Sequence, residues 1–425
     1  MKYLTARWLL TLLIPLSTAI ANPGKDPVEW IVTLMTNHSD AVQAAQQQHT
    51  SSKHLEEGAG SFPDPIIKLN VFGSPIETRN GPQKANAIIT QLIPWPSVLG
   101  AEEALAASLT QLQQEQVKIL LLDLTFNAKA MIYQYAELAE KRRNKKKMMA
   151  TLTNLSKVVL GRLKLGAANQ AEIARINIEI AKLSQNIRQI NAKMASLQQQ
   201  IQSMTGGKKI AHLLPTTIDL RWGQMTSVNP SQIDLSSHPL VRQAKTKIHA
   251  AQARLNHAEA KRLPKLGASF SWFQIDESKS AMNNPDSGKD AWSIGASLSI
   301  PIWNSQYDSM AHSQKAKRSA AVHELAQREL DLRAGIQSLY EELKSTSAIS
   351  SMFTNDILPL ARQALKSDRD SYTQGNVPFE RVIENYLRVI TFEDQLIESK
   401  VKQATLKAAL DKQLGNQHLK QSKGE

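Results

Sequence analysis

The chain has 425 residues, no cysteine, 5% aromatics and a formal net charge of +13. Lack of cysteine excludes disulfides, thiolate catalysis, Cys-ligated metals and a lipidated cysteine. Few aromatics among long runs of Ala, Gln, Leu and Lys argue for long helices and against a compact enzyme core. The basic balance would suit nucleic acid or an anionic surface.

The N-terminus predicts export, which excludes nucleic acid. Lys2 and Arg7 precede the apolar stretch Trp8 to Leu16, and Ala19-Ile20-Ala21 has the small-x-small cleavage pattern. Residues 1–21 read as a signal peptide, with Asn22 starting the mature chain. The apolar stretch is too short to span about 30 Å of hydrocarbon. No other stretch is longer, so a membrane crossing would have to be a β-barrel.

After an N-terminal segment, 22–36, the sequence repeats itself. His38-Ser39 matches His238-Pro239, and Pro63 matches Pro264. Ile93-Pro94-Trp95 matches Ile300-Pro301-Ile302-Trp303, Gly166 matches Gly375, and Thr205-Gly206 matches Leu414-Gly415. The offset grows from 200 to 209 and only in the strand region, which predicts two copies of one unit with a longer loop in the second. Repeat 1 is 37–206 and repeat 2 is 237–415; 207–236 link them and 416–425 form a tail.

Each unit reads helix, strand, strand, long helix, Gly, helix. In repeat 1 the strands fall at about 66–72 and 85–93, joined through Gly73 to Pro82, and the helices at 97–165 and 167–205. In repeat 2 the strands fall at about 266–275 and 291–300 and the helices at 304–373 and 377–414. From Trp292 to Ile300 apolar residues alternate with Ser and Gly, giving one apolar and one small polar face. Asn283 to Gly288 is a polar turn, and Pro94 and Pro301 end strands because Pro cannot donate to a ladder. Pro359 predicts a kink and Gly335 a soft spot in the second long helix. After Gly166, Ile173, Ile176, Ile180, Leu183, Ile187, Ile190, Met194, Leu197, Ile201 and Met204 step by three and four, an a/d coiled-coil seam. After Gly375, Ile383, Leu387, Ile390, Ile397, Val401, Ala404 and Ala408 repeat it, with Val382, Val389 and Leu396 in a second row. The run Arg142-Arg143-Asn144-Lys145-Lys146-Lys147 reads as a solvated helix face.

No nucleophile elbow, H-E-x-x-H pair or phosphate loop is present, and the ten His are scattered. The expectation is a protein with no catalytic residue, no cofactor and no metal. Four strands cannot close a membrane barrel, which needs about eight. Helices about 100 Å long with exposed seams cannot bury themselves in a monomer. The chain is therefore expected to be exported, mainly α with a small β part, and oligomeric.

His238-Pro239-Leu240, Trp292 to Asn304, Tyr372-Thr373-Gln374-Gly375 and Leu410 to Gly415 resemble the TolC family of outer-membrane efflux proteins over nearly the whole mature chain. The resemblance implies a homotrimer whose protomers each give four strands to one β-barrel and their helices to a coiled-coil tunnel in the periplasm of a Gram-negative cell. It implies outer-membrane lipid around the barrel, a periplasmic adaptor and an inner-membrane pump of RND or ABC type as partners. The cargo would be small solutes, metal cations or drugs; a protein-secretion duct and a non-conducting periplasmic scaffold are the alternatives. Phe62-Pro63-Asp64-Pro65 with Leu92-Ile93-Pro94 is similar to the heavy-metal branch. Gly166 and Gly375 would lie at the periplasmic tip, as adaptor contacts or plain helix C-caps. Glu172, Tyr372, Arg381 and Glu384 would line a closing aperture, or be surface charge, with Arg381 standing where relatives carry an acid.

Overall fold

The computed structural model describes residues 27–224, 233–278 and 285–415. The expected leader, the tail 416–425, part of the linker and the start of the turn at Asn283 lie outside the described residues. After α1 (Pro27–Asn37) in the N-terminal segment, the first repeat runs α2 (Asp40–Gly58), β1 (Ile66–Thr78), β2 (Gly81–Ile93), α3 (Pro96–Lys164) and α4 (Gln170–Met204). The second runs α5 (Pro239–Ala260), β3 (Lys265–Ile275), β4 (Ala291–Ser299), α6 (Asn304–Met352), α7 (Leu358–Thr373) and α8 (Phe379–Gln413).

α3 has 69 residues, so at 1.5 Å per residue it is about 100 Å long. Its core is a seam, not a centre. Ile176, Leu183, Ile187, Ile190, Met194, Leu197 and Ile201 of α4 are buried at the predicted spacing. In α8, Val382, Ile383, Val389, Ile397, Val401, Ala404 and Ala408 are buried. Near mid-length α1 seats Val28, Ile31, Val32 and Met35 in one cluster with Ala128, Ile132 and Ala136 of α3. The linker joins that cluster through Trp222, whose ring stacks on Tyr133 at 4.8 Å between centroids.

The four strands form one antiparallel sheet in chain order, with β2 paired to β3 across the two repeats. The first hairpin is longer than predicted. Gly73, Ser74 and Pro75 read as breakers, yet they sit in a register shift between Val71 and Ile76, and β1 continues to Thr78. A bulge absorbs residues that a regular ladder would reject. α6 runs through Gly335 without a break, from Asn304 to Met352. One other expectation is corrected. Lys145 is 9% exposed and pairs with Asp394 of α8 at 2.6 Å, so the basic run is partly a helix–helix contact, not wholly a solvated face. At Pro359 the helix widens into a π turn over Phe353–Ile357. That turn makes room for a ring that clashes with the i−4 carbonyl and donates no hydrogen bond.

Candidate functional site

Two regions concentrate unusual chemistry: the hairpin tips and the faces of the sheet. At each tip a long helix must reverse into the next. Gly166 (φ 72°) and Gly375 (φ 81°) provide the left-handed residue that the reversal needs. Gly166 N donates to Leu163 O at 3.0 Å and Ala167 N to Arg162 O at 2.9 Å. Gly375 N donates to Tyr372 O and Asn376 N to Ser371 O, both at 3.0 Å. Both glycines are thus helix C-caps of the same Schellman type. A Cβ at either position would meet nothing within 4 Å, and neighbouring Leu165 is 84% exposed.

Above the turns the two hairpins are tied together. Tyr372, only 4% exposed, donates from its hydroxyl to Glu172 Oε2 at 2.6 Å. The Arg162 guanidinium lies 4.4 Å from the Tyr372 ring centroid and donates to the Tyr372 carbonyl. Phe379 meets the same ring edge-on at 5.5 Å. Burial first, then the bond to the Glu172 carboxylate, raises the tyrosine pKa far above its ordinary value. Tyr372 is therefore a fixed donor across the accessible pH range. Glu172 is held by its own helix start, where Asn169 caps α4 by accepting from Glu172 N at 3.0 Å. Arg175 of α4 and Glu380 of α8 add an ion pair at 3.0 Å.

The four residues expected at the aperture divide into two groups. Glu172 and Tyr372 meet directly. Arg381 does not meet Glu172 within the protomer; its Nε lies 3.2 Å from Asp368 of α7. Asp368 is 7% exposed and also accepts from Asn385. Glu384 is exposed and forms no ion pair with a described residue. Arg162 and Asp368 were not foreseen. Both sit among many similar helix charges, and Arg162 reaches a residue 210 positions away.

Pleat alternation and register sort the sheet residues by face. One face carries the rows Ile67–Ile89–Phe270–Ile294, Leu69–Ala87–Trp272–Trp292 and Ile93–Leu266–Leu298. The other carries Lys68–Ile88–Ser271–Ser293, Ile66–Thr90–Ser269–Gly295, Leu92–Gly267–Ser297 and, at the helical end, Lys265–Ser299. Leu69, Val71, Trp292 and Ile294 are 74%, 85%, 67% and 75% exposed, so the protomer leaves its apolar face bare. β1 and β4 are edge strands with one unpaired side each. Pro94 and Pro301 close the ladder where the strands hand over to α3 and α6, and Trp95 Nε1 pins the junction by donating to Pro264 O at 2.5 Å. Among the described residues no group of three or more His, Cys, Asp or Glu is placed to hold a metal ion, and no helix is long and apolar enough to cross a membrane.

Residues 231–416 match the family model described as outer membrane efflux protein. That range is the second repeat and includes Tyr372, Gly375, Arg381 and Glu384. No curated protein matches the sequence. Among solved structures, the outer-membrane channel OprN is 13% identical, with 92% of this chain and 90% of that chain covered at a TM-score of 0.77. CusC is 14% identical, with 91% and 92% covered at 0.74. The outer-membrane protein VceC of Vibrio cholerae is 14% identical, with 91% and 96% covered at 0.75. At such identities the likeness is one of fold, and it spans both repeats and the sheet.

Proposed function

We propose that this chain is a member of the TolC family of outer-membrane efflux proteins and that three copies close one twelve-stranded barrel and one helical duct. The observation that carries it is the bare apolar face flanked by two unpaired edges. A sheet with open edges and exposed Leu, Ile, Val and Trp is a hazard in water. In a bilayer, closure pairs every edge and turns the apolar face to lipid.

The duct passes small solutes and contains no catalytic centre. The hairpin tips are the end that meets a periplasmic adaptor, itself bound to an inner-membrane pump. Supporting this, each tip glycine faces open space and Leu165 projects beside one of them. The Tyr372–Glu172 contact joins each protomer's two hairpins and the Arg381–Asp368 contact ties α7 to α8 within the second, which supports reading this end as the aperture. Planar-bilayer recording tests the reading. Purified protein should give discrete conductance steps that Arg381→Glu enlarges, because a second carboxylate beside Asp368 drives α7 and α8 apart. A chain that extracts without detergent and never conducts would favour the scaffold alternative.

A further inference from the structure

The polar face of the sheet carries charge of one sign. Among the paired stretches Ile66 to Val71, Ala85 to Ile93, Lys265 to Phe273 and Ala291 to Ser299 there is no Asp or Glu. The only ionisable side chains there are Lys68 and Lys265, both exposed. Both fall on the polar face, Lys68 in the row with Ser271 and Ser293, Lys265 opposite Ser299. Six β3 positions separate these rows, about 20 Å along the strand. Lys68 stands beside Ile88, with Ser271 and Ser293 further along its row, and Lys265 stands beside Ser299, so much of the surround is short side chains. Carboxylates stand beyond both ends of these stretches: exposed Asp64 precedes β1 at the helical end, and at the hairpin end three of them are engaged. Asp276 pairs with Lys84, Asp286 with Lys289 at 2.8 Å, and Asp290 accepts from Ile275 N at 3.0 Å. Glu77 and Glu277 stand at the same end, beyond the register shifts.

We infer that Lys68 and Lys265 line the barrel lumen as two cationic rings and make the exit section favour anionic over cationic solutes. The inference rests on the trimeric duct above, since only closure turns the polar face into a lumen. Three copies place three ammonium groups at each level inside an apolar wall, where the low-dielectric surround focuses their field. Bare metal cations are then the cargo least suited to this exit, and solutes carrying carboxylate or phosphate the best suited. The ring nearer the helices meets the solute first, and the Ser- and Gly-lined wall between the rings imposes little steric selection.

The test is reversal potential across a KCl gradient in planar bilayers, comparing the full chain with Lys68→Gln/Lys265→Gln and Lys68→Glu/Lys265→Glu. Tip charges are common to all three, so differences between them report the barrel. The neutral pair should move the chloride-to-potassium permeability ratio several-fold toward potassium, and the acidic pair should move it further. Heat-resistant trimers on gels would show that the variants assemble. Equal permeability ratios in assembled, conducting variants would overturn the inference and leave the duct standing. Trimers that never conduct would overturn both.

Discussion

His238 is 2% exposed and caps α5 through Nδ1, which accepts from Leu240 N at 3.1 Å, while Nε2 faces Lys412 O at 3.3 Å. This geometry needs the neutral ring with its proton on Nε2, and burial lowers the imidazole below its ordinary 6.5 against the opposing pull of the carbonyl. The unfolded chain then binds the proton more readily, so stability rises with pH. The contribution should be whole above about 6.5 and be lost as pH falls from there through the lower folded value. His238→Asn keeps a capping acceptor without titrating, and thermal melts between pH 5 and 8 should show a shallower slope for it. At the tip, Tyr372→Phe removes a hydroxyl bonded to a carboxylate, a loss of about 1.5–3 kcal/mol. The loss should be local: hydrogen exchange should speed up around residues 162–175 while the overall melting temperature moves little. The resemblance singled out Tyr372 and Glu172, and the repeat put Glu172 and Arg381 at equivalent points. Their partners were not readable, because nothing in a string of surface helix charges marks Arg162 or Asp368 as the group that folding brings near.

The elements were legible where a period repeats and illegible where it breaks. The α4 seam holds a three–four step over ten residues, and burial follows it because only that stripe can face another helix. The first hairpin misled because Gly73 and Pro75 are turn formers in a local reading, and only pairing to β2 shows that a bulge carries the ladder past them. Lys145 misled for a related reason: its burial comes from α8, which follows it by more than 200 residues. The Lys145–Asp394 pair gives this scale its prediction. Lys145→Met should strand a carboxylate whose Oδ1 already has no partner among the described residues. Full burial would cost about 3–5 kcal/mol, and less applies here because the Asp394 side chain is 23% exposed. The double variant Lys145→Met/Asp394→Leu should regain most of the loss in denaturant melts. At the tip, Arg381 is 62% exposed, so its pair with Asp368 is worth only about 0.2–1 kcal/mol. Exchanging the two charges, Arg381→Asp with Asp368→Arg, should return the conductance raised by Arg381→Glu to its original level. Glu172→Arg should not, since Glu172 already holds Tyr372 within the protomer.

For the whole molecule, length and strand number together set the assembly. A four-stranded sheet with an apolar face and open edges, joined to helices about 100 Å long, is expected to need further copies of itself in water and in lipid alike. The sequence contained both halves of that argument, the strand count and the unbroken seams. It did not contain the order β1-β2-β3-β4, which depends on β2 meeting β3 across the repeat boundary. That order places one edge from each repeat at the sheet margins, so β1 of one copy and β4 of the next can pair around a closed ring. The most direct test of this closure is the native mass of the detergent-purified protein. The account predicts a single species with three times the mass of one mature chain, stable until the barrel is heated open. A monomer that stays soluble without detergent would contradict it.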